Sequence, residues 1–522
     1  MCRQARDAVA AEVEAPAGRF RGLIGEGVVV FRGIRYAEPP VGPLRFAPPA
    51  PDKNTDALRD AVAAGPISIQ DIDPLPLVLP GAENVFYGPN PLVSEDCLNL
   101  NVWTPGLAGR APVLVWIHGG AFLCGSGNGP WLDGTSHARK NGIVVVTLNY
   151  RLGYLGGLFL GDYDARRSNL ALQDQILALH WVHDNIAAFG GDPNLVTIGG
   201  QSAGAMSVAA LLTAPEAAGL FRRAIIESGH LDSIIDRDKA CETTALILKR
   251  LGIHAAGDVL GELQKLSTLR ITSVQRELGI SRRAFPLVGD DVILPSDPMT
   301  ALAGRTDVDI LIGTTSEEDR LFAVTGWTPP TRGLAQTLAT YLYDADARAE
   351  AEALYAPVLD DLGGNEVALA HLIATEHGWA EPARRLATVH SAAGGRTYHY
   401  EFSWASSALD GQVGAAHLVD FPFFFDNLDA PGVVELLGDA GRQESAARLA
   451  QGLSSAVAGF VRSGNPSSGP LGDWPTYTPA ARATQVLGAT QRIEIDRLAN
   501  RLDFWTRNRG SSVPALSTLS GD

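Results

Sequence analysis

The sequence predicts an α/β fold, in which helices cover a large, mostly parallel central β-sheet. Residues 112–118 and 142–149 are continuous apolar runs, as expected for strands that are buried on both faces. Strand-like and helix-like segments alternate between residues 96 and 230, which favours parallel strands joined by helical crossovers. The composition, 46% hydrophobic and 19% charged over 522 residues, is typical of a folded globular chain.

The individual elements are predicted from local patterns. Two β-prone pieces within residues 18–50, separated by Gly25 and Gly27, predict a hairpin, and residues 1–17 are interpreted as an extension that precedes the domain. Further strands are predicted at 99–103, 195–198, 224–227, 309–312 and 396–403, and core helices at 169–189 and 203–212. We expect a single domain over residues 18–509, with helical insertions near 235–285 and 320–395 and a flexible tail at 510–522.

Charge and cysteine content argue against several classes of protein. With 42 basic and 58 acidic residues the net charge is −16, and such a surface repels a phosphate backbone, so no nucleic-acid partner is expected. The sequence shows neither a membrane-spanning apolar stretch nor the apolar core of a secretory signal, so we expect no membrane association and a cytoplasmic location. Four cysteines, Cys2, Cys97, Cys124 and Cys241, are too few for a disulfide scaffold.

Residues 200–204 form a G-x-S-x-G pattern around Ser202. The five-residue pattern is common, but here it lies between an apolar strand and a helix of small residues, which is the setting of a nucleophile elbow. Glycines two positions on either side of the serine let the strand and the helix approach closely. The alternative is an ordinary glycine-rich turn, and the context favours a nucleophilic serine.

An oxyanion hole is predicted beside that serine. Gly119 and Gly120 follow the apolar strand at 112–118, and consecutive glycines let backbone N–H groups point into a pocket. Their partner in such sites is the N–H group of the residue after the nucleophile, here Ala203.

A base and an acid complete the predicted site. In α/β folds with a nucleophile elbow, the catalytic residues follow one another along the chain in the order serine, acid, histidine. His417 lies in a loop after the predicted strand at 396–403 and is preferred over His399, which lies inside that strand. The acid is expected just after the strand at 309–312, where spacing alone leaves three adjacent residues open: Glu317, Glu318 and Asp319. His180 and His183 lie three apart on the long helix, but no third ligand is near them and no metal is expected.

Longer motifs resemble the type-B carboxylesterase/cholinesterase family of the α/β-hydrolases, in particular bacterial para-nitrobenzyl esterases. Residues 189–204 (FGGDPNLVTIGGQSAG) match the long nucleophile signature, and residues 95–102 (EDCLNLNV) match a second family signature. Shorter matches recur in order at 31–46, 149–151, 174–182, 227–229, 460–466 and 474–475. The likeness spans about residues 18 to 506.

The resemblance implies a role for each candidate residue. It assigns the acid to Glu318, with Glu317 as the fallback because Asp319 replaces the glycine that ends the family motif. It assigns the base to His417 and the oxyanion donors to Gly119, Gly120 and Ala203. Ser68 stands where many family members carry the disulfide partner of Cys97, which is consistent with a reducing cytosol.

The expected activity is hydrolysis of small to medium, apolar or aromatic carboxylic esters through an acyl-enzyme, with an ester and water as partners and no cofactor or metal. The alternative activity is hydrolysis of carbamates, amides or thioesters, and a non-catalytic adhesion or scaffold role is a more distant alternative. The oligomeric state, monomer or dimer, stays open. Substrate-pocket candidates, for which core packing is an equal interpretation, are Tyr87, Phe122, Cys124, Phe322, Phe421 and Phe424. The insertions are expected to lie over the active site.

Overall fold

Most strands of the structure belong to one large sheet. The computed structural model describes residues 9–53, 55–70, 86–88, 90–278, 287–324, 333–467 and 470–511. The strands are β1 (Val9–Ala15), β2 (Gly18–Gly25), β3 (Val28–Arg35), β4 (Leu58–Asp60), β5 (Asn99–Thr104), β6 (Ala111–Ile117), β7 (Val144–Leu148), β8 (Gly191–Gln201), β9 (Arg223–Glu227), β10 (Ile235–Asp236), β11 (Val288–Gly289), β12 (Asp309–Thr315), β13 (Thr397–Phe402), β14 (Ala483–Leu487) and β15 (Arg492–Ile495). Within the described residues the large sheet has 13 strands, with neighbours in the order β1-β2-β3-β5-β7-β6-β8-β9-β12-β13-β14-β15 and β4 beside β2.

The centre of the sheet is parallel and the edges are antiparallel. β7, β6, β8, β9, β12, β13 and β14 are all parallel to their neighbours in this run. β7 and β9 are buried along their whole length, as predicted from continuous apolar runs that face helices on both sides. The carboxyl ends of these strands meet at one edge of the sheet, and this edge carries the functional residues. The predicted α/β fold is confirmed.

The N-terminal boundary was predicted wrongly. Residues 9–15, interpreted as part of an extension, form β1 and pair antiparallel with β2. Ala11 and Val13 are buried while the residues between them are exposed, so the segment has the two-residue period of an edge strand. Glu12 and Glu14 alternate with Ala11 and Val13, and this short alternation was missed in the sequence. Residues 1–8 and 512–522, including most of the predicted tail, lie outside the described residues.

Helices cover both faces of the sheet. They are α1 (Gly153–Gly157), α2 (Leu170–Asn185), α3 (Ala203–Thr213), α4 (Arg237–Leu251), α5 (Val259–Lys265), α6 (Thr268–Glu277), α7 (Pro298–Ala303), α8 (Arg320–Val324), α9 (Leu334–Tyr341), α10 (Ala345–Asp361), α11 (Glu366–Thr375), α12 (Glu381–Ala392), α13 (Phe421–Phe425), α14 (Val433–Leu437), α15 (Glu444–Ser463) and α16 (Ala499–Arg507). Segments 237–277 and 334–392 are mainly helical, as predicted. Within the described ranges, no helix combines the length and hydropathy needed to cross a membrane.

Side-chain caps explain where several helices of these insertions begin. Asp236 caps α4, Ser267 caps α6 and Asp344 caps α10, each accepting a backbone N–H of the first turn. Such caps satisfy donors that have no partner inside the helix. The local sequence therefore determines where these helices begin, whereas the way they pack over the sheet depends on tertiary contacts.

A buried ion pair ties the sheet edge to the helical layer. Arg151, after β7, donates from Nε and Nη2 to the two oxygens of Asp174 on α2, at 2.8 and 2.6 Å. The backbone N–H of Arg151 donates to the same carboxylate at 3.0 Å, and its Nη1 donates to the Ala47 carbonyl at 2.8 Å. The side chains are 3% and 0% exposed, so each charge depends on the other for compensation.

Removing one charge of this pair should destabilise the protein strongly. Asp174→Asn leaves the guanidinium buried without a counter-charge, and we expect a loss of about 3–5 kcal/mol in the free energy of unfolding, measured in urea. Glu216→Gln is the matched control, because the Arg166–Glu216 pair is 49% and 42% exposed and should contribute below about 1 kcal/mol. Equal effects of the two substitutions would contradict this assignment.

Candidate active site

Ser202 occupies a strained turn between β8 and α3. Its φ of 58° and ψ of −126° lie outside the regions that side-chain-bearing residues usually adopt. Its N–H donates to the Glu227 carbonyl on β9 at 2.9 Å. A Cβ at Gly200 would lie 2.5 Å from the carbonyl carbon of Gly204, so the turn can close only with glycine at that position. This is the predicted nucleophile elbow.

The glycine loop after β6 lies against this turn because β6 and β8 are neighbours in the sheet. A Cβ on Gly119 would be 2.6 Å from the Gln201 carbonyl oxygen and 3.1 Å from Ser202 Cβ, which places the two backbones in contact. The loop then bends through positive φ values at Gly120, Ala121 and Phe122. Ala203 begins α3 and is buried. Gly119 and Ala203 thus lie beside Ser202.

Two side chains hold the glycine loop in place. The Tyr150 hydroxyl donates to the His118 carbonyl at 2.8 Å, and the two rings stack with centroids 4.4 Å apart. Gln70 accepts from the Gly125 N–H at 2.8 Å and donates to its carbonyl at 3.0 Å. Residues outside the loop therefore fix the two ends of this glycine-containing segment.

The structure distinguishes the three adjacent acidic residues after β12. Glu318 Oε2 accepts from His417 Nδ1 at 2.5 Å. Glu317 instead forms an ion pair with Arg320 at 2.7 Å, and Asp319 pairs with His371 at 2.6 Å. Glu318 is therefore the carboxyl group in contact with the imidazole, while Glu317 and Asp319 pair with side chains of the helices α8 and α11.

The Glu318 carboxylate is fully buried and receives two further hydrogen bonds. Ser228 Oγ donates to Oε1 at 2.5 Å, and the Thr315 N–H donates to the same oxygen at 2.7 Å. Donors of this kind compensate a buried negative charge. The contact of Ser228 was missed by the sequence analysis, although the motif at 227–229 had been noted.

The other ring nitrogen of His417 accepts a hydrogen bond from Gln201 Nε2, at 3.2 Å. Across the described residues, no hydrogen bond joins the Ser202 hydroxyl to this imidazole. Trp379 lies against the ring with centroids 4.7 Å apart, and Phe322 stacks at 6.2 Å. Trp379 belongs to the second helical insertion, where nothing in the sequence pattern distinguished it from a core residue.

A cluster of buried carboxyl groups lies beneath the imidazole. Burial raises the pKa of Glu227 well above its usual range, and the neighbouring Asp420 adds to this effect. Burial also raises the pKa of Asp420 to about 8, with the Glu318 carboxylate as the second cause. The Tyr400 hydroxyl donates to Asp420 at 3.5 Å. Burial therefore favours the neutral form of both carboxyl groups.

A small aromatic cavity adjoins the glycine loop. It is lined by Phe86, Trp116, Trp131, Phe421, Gln201, Gly119 and Gly120, among others. Of the predicted pocket residues, Phe421 reaches it, Cys124 donates from Sγ to the Gly120 carbonyl at 3.5 Å, and Tyr87 lies 6.1 Å from Phe86 between ring centroids.

Two predicted pocket residues lie elsewhere. Phe424 is fully buried and packs on Tyr400 with ring centroids 5.6 Å apart, so the structure places it in the core. Phe122 lines a separate small cavity beside Arg151. His183 forms a surface pair with Asp184, and within the described ranges no three His, Cys, Asp or Glu side chains are arranged to bind a metal ion.

The elbow, the glycine loop and the Glu318–His417 pair define a serine hydrolase of the α/β-hydrolase fold. The chain belongs to the carboxylesterase family, whose model matches residues 9–505. Its activity is the hydrolysis of carboxylic esters.

Named relatives and solved structures support this membership. The chain is 35% identical to a para-nitrobenzyl esterase of Bacillus subtilis (strain 168), over 92% of this chain and 95% of the relative. It is 34% identical to a phenmedipham hydrolase of Pseudarthrobacter oxydans, over 90% and 94%. A solved structure of a thermophilic PNB esterase superposes with a TM-score of 0.83 at 33% identity, covering 95% of this chain and 100% of that chain.

Asp420→Asn should change how stability depends on pH. A carboxyl group titrates at about 3.9 when unfolded, and burial raises the pKa of Asp420 to about 8. Its stabilising contribution is therefore complete below about pH 4 and is lost as the pH rises toward 8. Because asparagine does not titrate, the free energy of unfolding of the variant relative to wild type should rise by a few kcal/mol over this interval.

The measurement is urea unfolding at intervals between pH 5 and pH 8. Asp439→Asn is the control, because the Asp439 side chain is 95% exposed and its substitution should shift stability equally at every pH. A pH-independent difference for Asp420→Asn would refute the assignment.

Proposed function

We propose that Ser202 is the nucleophile of this ester hydrolase, His417 its general base and Glu318 the residue that orients the base. The hydrogen bond between His417 Nδ1 and Glu318 Oε2, at 2.5 Å, supports the proposal most directly. A carboxylate at Nδ1 selects the tautomer in which Nε2 is unprotonated, and it stabilises the imidazolium that forms during the reaction.

The reaction follows from these roles. The Ser202 oxygen attacks the ester carbonyl carbon while its proton passes to His417 Nε2, and the carbonyl oxygen becomes an oxyanion. Collapse of the tetrahedral intermediate breaks the bond to the alcohol, which leaves with the proton from Nε2. Water then repeats the sequence on the acyl-enzyme and releases the carboxylic acid and free Ser202.

The N–H groups of Gly119, Gly120 and Ala203 would stabilise the oxyanion. The contact of Gly119 with Gln201 and Ser202 and the position of Ala203 at the start of α3 support this role, since a helix N-terminus presents free N–H groups. Fixed donors need no reorganisation when charge develops, which is why they lower the barrier.

The preferred substrates are small to medium esters with apolar or aromatic groups. Phe86, Trp131 and Phe421 line the cavity beside the glycine loop, and aromatic side chains favour flat apolar groups. One relative is named for its action on a para-nitrobenzyl ester and another is named phenmedipham hydrolase. The mechanism requires the ester and water alone, with no cofactor.

A reducing, cytoplasmic location is part of the proposal. The Ser68 side chain contacts the buried thiol of Cys97, and burial raises the pKa of that thiol to about 12. This serine occupies the place that a disulfide partner would take, and Cys97 therefore packs as a small apolar group.

Ser202→Ala tests the nucleophile. We expect turnover of p-nitrophenyl acetate to fall by at least about 10³-fold, because the acyl-enzyme can no longer form. Ser391→Ala, on α12, is the matched control and should retain full activity. Substantial activity in Ser202→Ala would overturn the proposed mechanism.

Gly119→Ala tests the oxyanion loop. The added Cβ would lie 2.6 Å from the Gln201 carbonyl oxygen, so the loop must shift. Its backbone N–H groups would then no longer point at the oxyanion. We expect kcat to fall by about 100-fold with little change in the KM for p-nitrophenyl acetate. Gly25→Ala, where no atom lies within 4 Å of the added Cβ, is the control; a kcat loss of equal size there would contradict this role.

A further inference from the structure

Gln201 occupies a position that the proposed mechanism leaves without a role. It is the last residue of β8, directly before the nucleophile, and its side chain is buried. Its carboxamide nitrogen lies 3.2 Å from Nε2 of His417. This is the ring nitrogen that must take the Ser202 proton, so Gln201 contacts the reacting atom of the base.

The chemistry of the two nitrogens fixes the direction of this hydrogen bond. A carboxamide NH2 group can only donate, so His417 Nε2 must accept and cannot carry a proton. The ring proton is then on Nδ1, the nitrogen that donates to Glu318 at 2.5 Å. Both partners therefore select the same state, a neutral imidazole with its lone pair on Nε2.

The surrounding groups make the neutrality of Gln201 important. Four residues lie side by side across the neighbouring strands β8, β9, β12 and β13: Gln201, Glu227, Gly313 and Tyr400, in that order. Among them, Glu227 has its pKa raised well above the usual range by burial, and the neighbouring Asp420 adds to this rise.

Two further titratable side chains near the base, His230 and Tyr400, are buried. Burial lowers the pKa of His230 to about 4, and this ring lies against Trp379, which in turn packs on His417. Burial raises the pKa of Tyr400. Glu318 is the carboxyl group in contact with the imidazole, and it contacts Nδ1 rather than Nε2.

We propose that Gln201 is a positioning residue that holds His417 as a neutral base with Nε2 unprotonated. The inference rests on the proposed roles of Ser202 and His417. Protonation of Nε2 removes the lone pair that the carboxamide uses, so the hydrogen bond stabilises only the neutral imidazole. A carboxylate at this position would do the opposite, because it would accept from a protonated Nε2 and favour the imidazolium.

Two substitutions separate charge from shape. Gln201→Glu keeps the size of the side chain and adds an acceptor with negative charge, whereas Gln201→Met keeps the length and removes the hydrogen bond. Gln412→Glu is the matched control, because it adds a carboxylate to an exposed position on the loop that precedes His417. Each variant is first titrated with a covalent serine reagent, which reports folded sites with a reactive Ser202.

The main measurement is the pH profile of kcat/KM for p-nitrophenyl acetate. For Gln201→Glu we expect the acidic limb to move upward by about one to three pH units, so that activity below the limb falls at least about tenfold relative to wild type. For Gln201→Met we expect the limb to move upward by less than about one pH unit, because a single neutral hydrogen bond to the unprotonated ring is lost. We expect kcat to fall roughly three- to tenfold, because the ring loses one of its two anchors. Gln412→Glu should match wild type.

A second measurement follows the His417 Nδ1 proton, which should give a downfield NMR signal in wild type at neutral pH because it is held by Glu318. We expect the signal to broaden in Gln201→Met, since the ring loses one of its two anchors. An acidic limb unchanged in Gln201→Glu, or moved as far in Gln201→Met as in Gln201→Glu, would overturn the inference. Wild type that fails to label at Ser202 would instead refute the proposed function itself.

Discussion

The active site depends on one buried carboxyl group, that of Glu318. Three elements donate to it: the Thr315 N–H from the end of β12, the Ser228 hydroxyl from the turn after β9, and His417 Nδ1 from the loop after β13. A buried carboxylate without these donors would take up a proton. Each donor reaches it because β9, β12 and β13 are parallel neighbours, so the sheet order itself assembles the pair of acid and base.

The nucleophile half of the site depends instead on the absence of side chains. Gly119 brings the loop after β6 against Gln201 and Ser202, and Gly200 lets the elbow close. Main-chain contacts of this kind tolerate no Cβ, and their strain at Ser202 is held by the surrounding sheet and by α3. The two halves meet at His417, whose Nδ1 contacts the Glu318 carboxyl group and whose Nε2 contacts Gln201 of the elbow.

Much of this arrangement could be predicted because its determinants are local. The strands at 112–118 and 142–149 are apolar throughout, and the elbow around Ser202 shows its glycines directly in the sequence. The choice among Glu317, Glu318 and Asp319 could not be made from spacing, since adjacent residues on a turn point in different directions; motif resemblance selected Glu318, which the structure places against His417. Trp379 and the edge strand β1 were missed because their positions depend on tertiary packing.

The carboxyl groups around His417 show why a neutral residue is favoured before the nucleophile. Glu227 and Asp420 lie in the same buried cluster as Glu318, and burial raises the pKa of both. In a medium of low polarity a second negative charge close to Glu318 is costly, and at Nε2 it would also favour the protonated imidazole. Gln201 supplies a polar contact to the buried Nε2 without adding that charge, so both ring nitrogens of the base are paired and its carboxyl partner lies at the nitrogen that does not react.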